Sequence, residues 1–486
     1  MHSKDWRDDY NQKLVSPEIA ARAIKTGDNV VFPNVYFGVM PYAIIERASE
    51  LTNVTIECCA PLYDPGWFAP GFEKSFNPII RTYLYSMRHA HDQGWVPFIP
   101  YTHGTWIKPH RDNRSTKRDI DVFIVEVSTP DEHGNCYLGR GVWESKYFAK
   151  HAKTIIAEVD ADLIKPSGDA SIHISEFDYL VDITGKPLSA NDAERIVGRI
   201  QKRKRSKARE NIIAMEPRLS RGLMANIDVI DATAIESAIY IDTPTAVMKS
   251  IAENLKQILR NGDTIQIGAG RHTRHLVKLG VFENLNDLGI FSEIGFPGMY
   301  SLVQQGIATG RFGELHPGKA VLTSFLGMPP NEIKLAANSP LFELHPGEHI
   351  INITNIAKQK NMVSINNAVQ LDLTGQITCE SQFGPRLING AGGQIEFHIG
   401  AFLSIGGRAV TILPSTWGPD EVSTIVPYFD SGTLVTLSRY WADYVVTEWG
   451  VAELAGRTQR DRAKELTRIA HPKFRPYLTN AAKNIH

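Results

Sequence analysis

Two distant segments of the chain carry the same order of apolar and polar positions. The first, IAARAIKTGDNVVF, runs from Ile19 to Phe32, and the second, IAENLKQILRNGDTIQI, from Ile251 to Ile267. In each, apolar residues recur at helical spacing, a Gly-Asp pair follows, and a run rich in β-branched residues comes directly after it. The pattern predicts helix, tight turn and strand, twice over. Downstream, DVFIVEVS, KTIIAEVD, NMVSINNAVQLDL and AVTILP read as short strands separated by helical stretches and turns, a rhythm of layered α/β architecture. The chain is therefore expected to hold two related α/β domains, residues 1–185 and 245–486, with a linker or insertion at 186–244.

Composition narrows the choice of partners. A chain of 486 residues with 43% hydrophobic content can bury more than one core. The formal net charge is -1, so no overall field favours nucleic acid or acidic membranes, and small molecules are the expected partners. RIVGRIQKRKRSKARENI, from Arg195 to Ile212, holds eight Lys or Arg in its first fifteen residues. Such a run either meets phosphates or forms a solvated linker or helix face, and the neutral remainder of the chain favours the second. No apolar run reaches membrane-spanning length and the start, MHSKDWRDDYNQ, is polar, which gives the expectation of a cytoplasmic protein with no membrane partner. The four cysteines, Cys58, Cys59, Cys136 and Cys379, lack metal-ligand or disulfide spacing, so reduced thiols and no metal site are expected.

Three places carry candidate chemistry. Gly268-Ala269-Gly270 follows the strand TIQI and precedes HTRHLVKLGVF, which reads as a helix. Its amides suit a phosphate or an oxyanion, although a plain strand-to-helix turn uses the same residues. Glu293 follows this loop at about the interval of a ribose-binding carboxylate, which raises an NAD-dependent oxidoreductase as an outside alternative. Thr273, however, stands where the dinucleotide fingerprint has its third glycine. The second place is INGAGGQIEF, where Gly390, Gly392 and Gly393 occupy three of four positions between strand-like segments. It is either a source of amide donors for an oxyanion or a bulge or hairpin turn needing positive φ. The third is Glu293 itself, in GIFSEIGFPG, a charged acid among Ile, Phe, Gly and Pro. Partial desolvation makes such a carboxylate a nucleophile or an acid; a salt-bridged structural glutamate is the competing reading.

VSTPDEHGNCYLG, from Val127 to Gly139, and SGDASIHISEFDYLV resemble the acetyl-CoA hydrolase/transferase family of class I CoA-transferases. So, in order, do IQIGAG, LGIFSEIG, MVSINNAVQLDLTGQ, INGAGGQIEF, GGRAVTILPST and YVVTEWGVAELAGRTQRDRAKELTRIAHPKFR. The resemblance implies two α/β domains of the CoA-transferase type with the active site in the cleft between them, and a homodimer. It implies coenzyme A or acyl-CoA as substrate, a carboxylic acid as its co-substrate, and no permanently bound cofactor. Glu293 matches the family's nucleophile, which attacks the acyl-CoA thioester to give an acyl-glutamyl anhydride and then a glutamyl-CoA thioester. Gly392 and its neighbours Gly390 and Gly393 match its amide donors. Gly268, Ala269, Gly270, Arg271 and His272 match its CoA-contacting loop, and Glu448 matches a buried supporting glutamate.

The chain departs from the family pattern in places. Ile405 fills the position of a family lysine, a loss that Arg408 is expected to offset, and Asn352 and Asn355 are the candidates for a polar helper. The expected activity is acyl-CoA:carboxylate CoA-transferase, with acyl-CoA hydrolase as the alternative and a non-catalytic CoA-binding protein as a further class. Ile294, Gly295, Phe296 and Pro297 make the surroundings of the acid apolar, and FPNVYFGVMP, CCAPLYDPGWFAPGF and FIPYTHGTW add aromatics. They suggest an acyl group bulkier than acetate, unless the aromatics belong to the core.

Overall fold

The computed structural model describes residues 5–58, 64–68, 70–81, 83, 87–185, 189–215, 223–224, 235–236, 238, 242–418 and 422–485. The chain forms two units: Met1–Tyr101 with Thr105–Asp242 and Leu344–Pro346, and Thr102–Gly104 with Thr243–Glu343 and Gly347–His486.

The first unit is built on six strands: β1 (Asn29–Phe32), β2 (Val54–Cys58), β3 (Phe76–Ile80), β4 (Ile120–Ser128), β5 (Ala152–Asp160) and β6 (Tyr179–Asp182). They lie in the order β3-β2-β1-β4-β5-β6, and every adjacent pair is parallel. The second unit has eight: β7 (Thr264–Ile267), β8 (Gly289–Ile294), β9 (Ala320–Ser324), β10 (Phe342–Leu344), β11 (Met362–Asn367), β12 (Arg408–Ile412), β13 (Tyr444–Thr447) and β14 (Gly450–Glu453). Their order is β10-β9-β8-β7-β11-β12-β13-β14, and β14 closes the edge as an antiparallel hairpin with β13. The short strands read from the sequence are buried on both faces, as parallel sheets require: β7, β9 and β12 are buried at every position, their polar residues included.

The helix, Gly-Asp, strand repeat appears in both units and has one physical basis. Gly27 and Gly262 adopt φ of 85° and 76°, a region open to glycine, so the chain reverses before β1 and β7. The following aspartate then fastens the turn: Asp28 accepts from the Lys25 N–H at 2.8 Å, and Asp263 from the Arg260 N–H at 2.7 Å. The carbonyl of each aspartate also receives the neighbouring strand, from Thr55 N–H at 2.9 Å and Gly289 N–H at 2.8 Å. In each sheet, strand order reverses beside the strand that follows this turn, the place where open α/β sheets offer their strand ends to ligands.

Three local expectations are corrected. HTRHLVKLGVF forms only a short 3₁₀ turn, Thr273–His275, because the Thr273 hydroxyl bonds to the carbonyls of Gly268 at 2.6 Å and Gly270 at 3.2 Å instead of facing outward. QIEF does not extend a strand; it opens the helix Gln394–Leu403. NMVSINNAVQLDL divides between β11 and a separate strand, Gln370–Asp372, of a three-stranded sheet.

The basic run lies in the first unit, in the helices Ala190–Gly198 and Arg205–Ala214 and the turn between them. These helices bury Ile196, Val197, Ile200, Ala208 and Ile212 together. Acids offset part of its charge, as Arg209 pairs with Glu194 and Lys204 with Glu236. Aromatics of FPNVYFGVMP and CCAPLYDPGWFAPGF pack together in the first unit: the Phe32 ring lies 4.8 Å from Tyr36 and 5.9 Å from Trp67, all of them buried. Of CCAPLYDPGWFAPGF, residues 59–63 and 69 lie outside the described residues, as does Cys59. Cys58, Cys136 and Cys379 are free and buried. No helix among the described residues is long and apolar enough to cross a membrane.

One buried acid yields a test of the first unit. Glu158 on β5 is fully buried, accepts from the N–H groups of Val39 at 2.7 Å and Met40 at 3.0 Å and from the Tyr36 hydroxyl, and stands opposite Glu126 of β4. Burial first, and then the charge of Glu126, push its carboxyl up to about 7. The folded state thus binds more protons than the unfolded chain between the ordinary carboxylate value and pH 7, so stability falls as pH rises through that window. Glu158→Gln keeps an acceptor for the amides and cannot ionise. Thermal melts should show the variant gaining on the wild type from pH 5 to pH 8, by roughly 1–3 kcal/mol; a difference that does not change with pH would show that Glu158 is not the group responsible.

Candidate active site

Because the main strands of the second sheet are parallel, β7, β8, β11, β12 and β13 deliver their carboxyl ends to one edge. Glu293 stands there, one residue from the end of β8, on the same face of the strand as Phe291. Its side chain is only 12% exposed. One carboxylate oxygen accepts from the Gly393 N–H at 3.1 Å, and the other lies 3.8 Å from His103 Nε2.

Gly393 approaches so closely because it has no side chain. A Cβ there would stand 2.5 Å from Glu293 Oε2 and 3.0 Å from its Cδ. Gly392, before it, takes φ of 58°, so the positive-φ turn considered from the sequence is present and also presents an amide to the acid. Gly393 caps the ten-residue helix Gln394–Leu403, whose N-terminal end favours negative charge. Gly390 is half-buried in the stretch that leads into this turn.

The first turn of that helix adds a second acid. Glu396 is buried, and its Oε1 accepts from the Thr102 hydroxyl and from the Gly104 N–H at 3.1 Å. Burial pushes its carboxyl up to about 7; the Thr102 hydrogen bond and His103 oppose the rise, and Glu293 adds to it.

The Gly268 loop lies at the end of β7 on a buried polar network. The side-chain amides of Gln266 and Asn366 bond to each other at 3.2 and 2.9 Å, and Ser364, His398 and Thr411 continue the network. Burial pushes His398 down to about 3, so it serves as a neutral imidazole with a partner on each nitrogen. A Cβ on Gly268 would meet Asn366 Oδ1 at 1.9 Å, and one on Gly270 would meet Asn367 Nδ2 at 2.0 Å. The loop is therefore seated directly on β11. Thr273, the residue that departs from the dinucleotide fingerprint, is its anchor. Ala269 and Arg271 are exposed, while burial pushes His272 down to about 4 and keeps it neutral.

Glu448 follows β13 and is half-buried; it accepts from the Ser415 N–H at 2.9 Å and from the Ser415 hydroxyl, fixing the segment beyond β12. Arg408 is not brought to this edge, and the compensating contact expected of it is corrected. It begins β12 at the opposite end of the sheet, buried, ion-paired with Asp263 of the Gly-Asp turn and donating to the Ile258 carbonyl at 2.8 Å. Ile405 is 77% exposed. Asn352 caps the helix Ile353–Lys358, and Asn355 donates to the His349 carbonyl at 3.0 Å.

The sequence reading missed His103, Thr102, Gly104 and Glu396. Glu396 had a signal, a second carboxylate three residues after a glycine pair. His103 had none, since YTHGT sits far from every motif and was noted only for its aromatic surroundings.

A parallel sheet that brings a glutamate and glycine-loop amides to its carboxyl edge defines an α/β fold with a candidate site at that edge. Models of the acetyl-CoA hydrolase/transferase N-terminal and C-terminal domains match residues 1–189 and 331–482. The 4-hydroxybutyrate coenzyme A transferase of Clostridium kluyveri is 31% identical, over 99% of both chains. The succinyl-CoA:cyclohexane-1-carboxylate CoA transferase of Geobacter metallireducens is 29% identical, over 99% of this chain and 98% of its own. The crystal structure of RipA from Yersinia pestis superposes with a TM-score of 0.78, at 25% identity over 99% of both chains. The chain belongs to the acetyl-CoA hydrolase/transferase family and is an enzyme of the CoA-transferase class.

Proposed function

We propose that the protein transfers CoA from an acyl-CoA to a carboxylic acid through a thioester on Glu293. One observation carries the reading: Glu293, largely shielded from solvent, stands at a strand end with the Gly393 amide aimed at its carboxylate. In the first step the carboxylate adds to the acyl-CoA carbonyl and expels CoA thiolate, leaving an acyl-glutamyl anhydride. The thiolate then attacks Cδ of Glu293 and releases the acid, leaving glutamyl-CoA. An incoming carboxylate reverses both steps. Each addition at Cδ places negative charge on the oxygen that faces Gly393, where one well-placed donor is worth about 2.7–4 kcal/mol in other enzymes. The Gly268–Gly270 loop with Arg271 and His272 is the proposed CoA contact, Gly390 and Gly392 shape the turn, and Glu448 supports the wall through Ser415. Residues 1–185 and 245–486 are the proposed functional domains. A homodimer is proposed on the family resemblance, and a cytoplasmic location on the lack of a membrane-length apolar run in the sequence.

The adduct is the direct test. Full-length protein incubated with an acyl-CoA and no acceptor should gain the mass of CoA on the peptide that holds Glu293; a modified peptide elsewhere, or none, would reject this mechanism. Hydrolysis is the second reading, favoured by the family's inclusion of acetyl-CoA hydrolases, and it predicts CoA release indifferent to added carboxylates.

The relatives' names include a cyclohexane carboxylate and a hydroxybutyrate, and the neighbours of Glu293 here are apolar: Ile294 and Phe296 are buried beside it in sequence. The proposed acyl group is accordingly larger than acetyl, since a few buried methylenes at ~25 cal/mol per Å² shift preference about tenfold. The aromatic cluster around Phe32 packs on itself, so this rests on residues 294–297. Ranking kcat/KM for acetyl-CoA against branched and cyclic acyl-CoAs decides it; a wide preference for acetyl overturns it.

A further inference from the structure

Thr102–Gly104 belong to the second unit, although the chain up to Tyr101 and from Thr105 belongs to the first. Glu396 holds these three residues in place. Its Oε1 takes one hydrogen bond from each side of His103, from the Thr102 hydroxyl and from the Gly104 N–H. The clamp closes only over glycine, because a Cβ at Gly104 would stand 2.6 Å from Glu396 Oε1 and 2.7 Å from the Ile351 carbonyl. His103, fixed between the two anchors, is 9% exposed and puts Nε2 3.8 Å from Glu293 Oε1. The second oxygen of Glu396 is buried with no hydrogen-bond partner among the described residues.

We propose that His103 is the base that activates water against the glutamyl-CoA thioester, and that Glu396 is the positioning residue that aims it. This rests on the thioester reading above. A gap of 3.8 Å between Nε2 and the carboxylate is too long for a direct hydrogen bond and sets the imidazole about one water molecule from the acyl carbon, Cδ. The water oxygen adds to Cδ of Glu293 while its proton passes to Nε2 of His103. The oxyanion accepts from Gly393, and collapse breaks the carbon–sulfur bond. The CoA thiolate takes the proton from His103, and Glu293 is left as a carboxylic acid that ionises to solvent. Transfer to an acid needs no such base, because the acceptor arrives already ionised. His103 thus sets the ratio of hydrolysis to transfer.

The lifetime of the adduct reads this directly. In His103→Gln the glutamyl-CoA adduct, followed by mass spectrometry after removal of excess acyl-CoA, should persist about 100-fold longer than in the wild type, since general-base catalysis is worth about 10²–10⁴. Carboxylate-dependent transfer should fall far less, so the ratio of transfer to hydrolysis rises. Glu396→Ala should lengthen the lifetime as well, and Glu396→Gln, which keeps an Oε1 acceptor for Thr102 and Gly104, should restore most of the loss. An unchanged lifetime in His103→Gln, or an equal fall in both reactions, overturns the role of His103. Failure of the Gln variant to outperform the Ala variant overturns that of Glu396. If the wild type forms no adduct, the thioester reading falls and takes this inference with it; if it forms one that decays equally in both proteins, this inference alone falls.

Discussion

Glu293→Ala should lower CoA transfer at least about 10⁴-fold and abolish the CoA adduct, the scale on which enzymes lose rate when a covalent nucleophile is removed. The fold should survive. The substitution leaves the Gly393 N–H without its acceptor, a cost of about 1–3 kcal/mol. It also removes a carboxylate that is only 12% exposed, whose desolvation opposes that cost. Thermal melts within a few degrees of the wild type, together with a dead transfer assay, are the expected pair of results. Near wild-type transfer would show that another group attacks the thioester.

Gly393→Ala should lower kcat by about 10²–10³-fold, with a smaller effect on stability. The backbone there is at φ of -94°, which alanine adopts freely, so strain plays no part. The added methyl would instead lie 2.5 Å from Glu293 Oε2 and 3.3 Å from Ile351 Cγ2, forcing the carboxylate off its amide donor. Gly392→Ala is the contrast. Its Cβ would meet Glu293 Oε1 at an ordinary 3.8 Å, but its φ of 58° costs about 1 kcal/mol or more for any residue with a side chain. Steady-state kinetics and melts on both variants should therefore show the larger kinetic loss at 393 and the larger loss of stability, relative to activity, at 392. The opposite ranking would move the amide donor to Gly392, the residue the sequence resemblance named first.

What the sequence determined by itself were features with local causes. The Gly-Asp turns were legible because a positive φ and an aspartate that bonds three residues back are decided within four positions of the chain, at Lys25–Asp28 and again at Arg260–Asp263. The strands were legible because β-branched and other apolar residues dominate segments bounded by turns, and Glu293 stood out as an acid among them. Where local readings failed, a contact across the fold or a polar side chain had the deciding voice. Thr273 turned its hydroxyl onto the Gly268 loop and ended a helix its apolar spacing had promised. Arg408 was claimed by Asp263, 145 positions away. The partners of Glu293 and Glu396 are further still from sequence logic: Gly393 lies 100 positions from Glu293, and Gly104 lies 292 from the Glu396 that clamps it. Strand order decides which loops share the carboxyl edge, and nothing in the composition of YTHGT records that β8 and the helix after Gly393 will stand beside it. Local pattern selects the elements because backbone conformation is settled over a few residues, whereas the company a charged side chain keeps is settled only when the sheet is assembled.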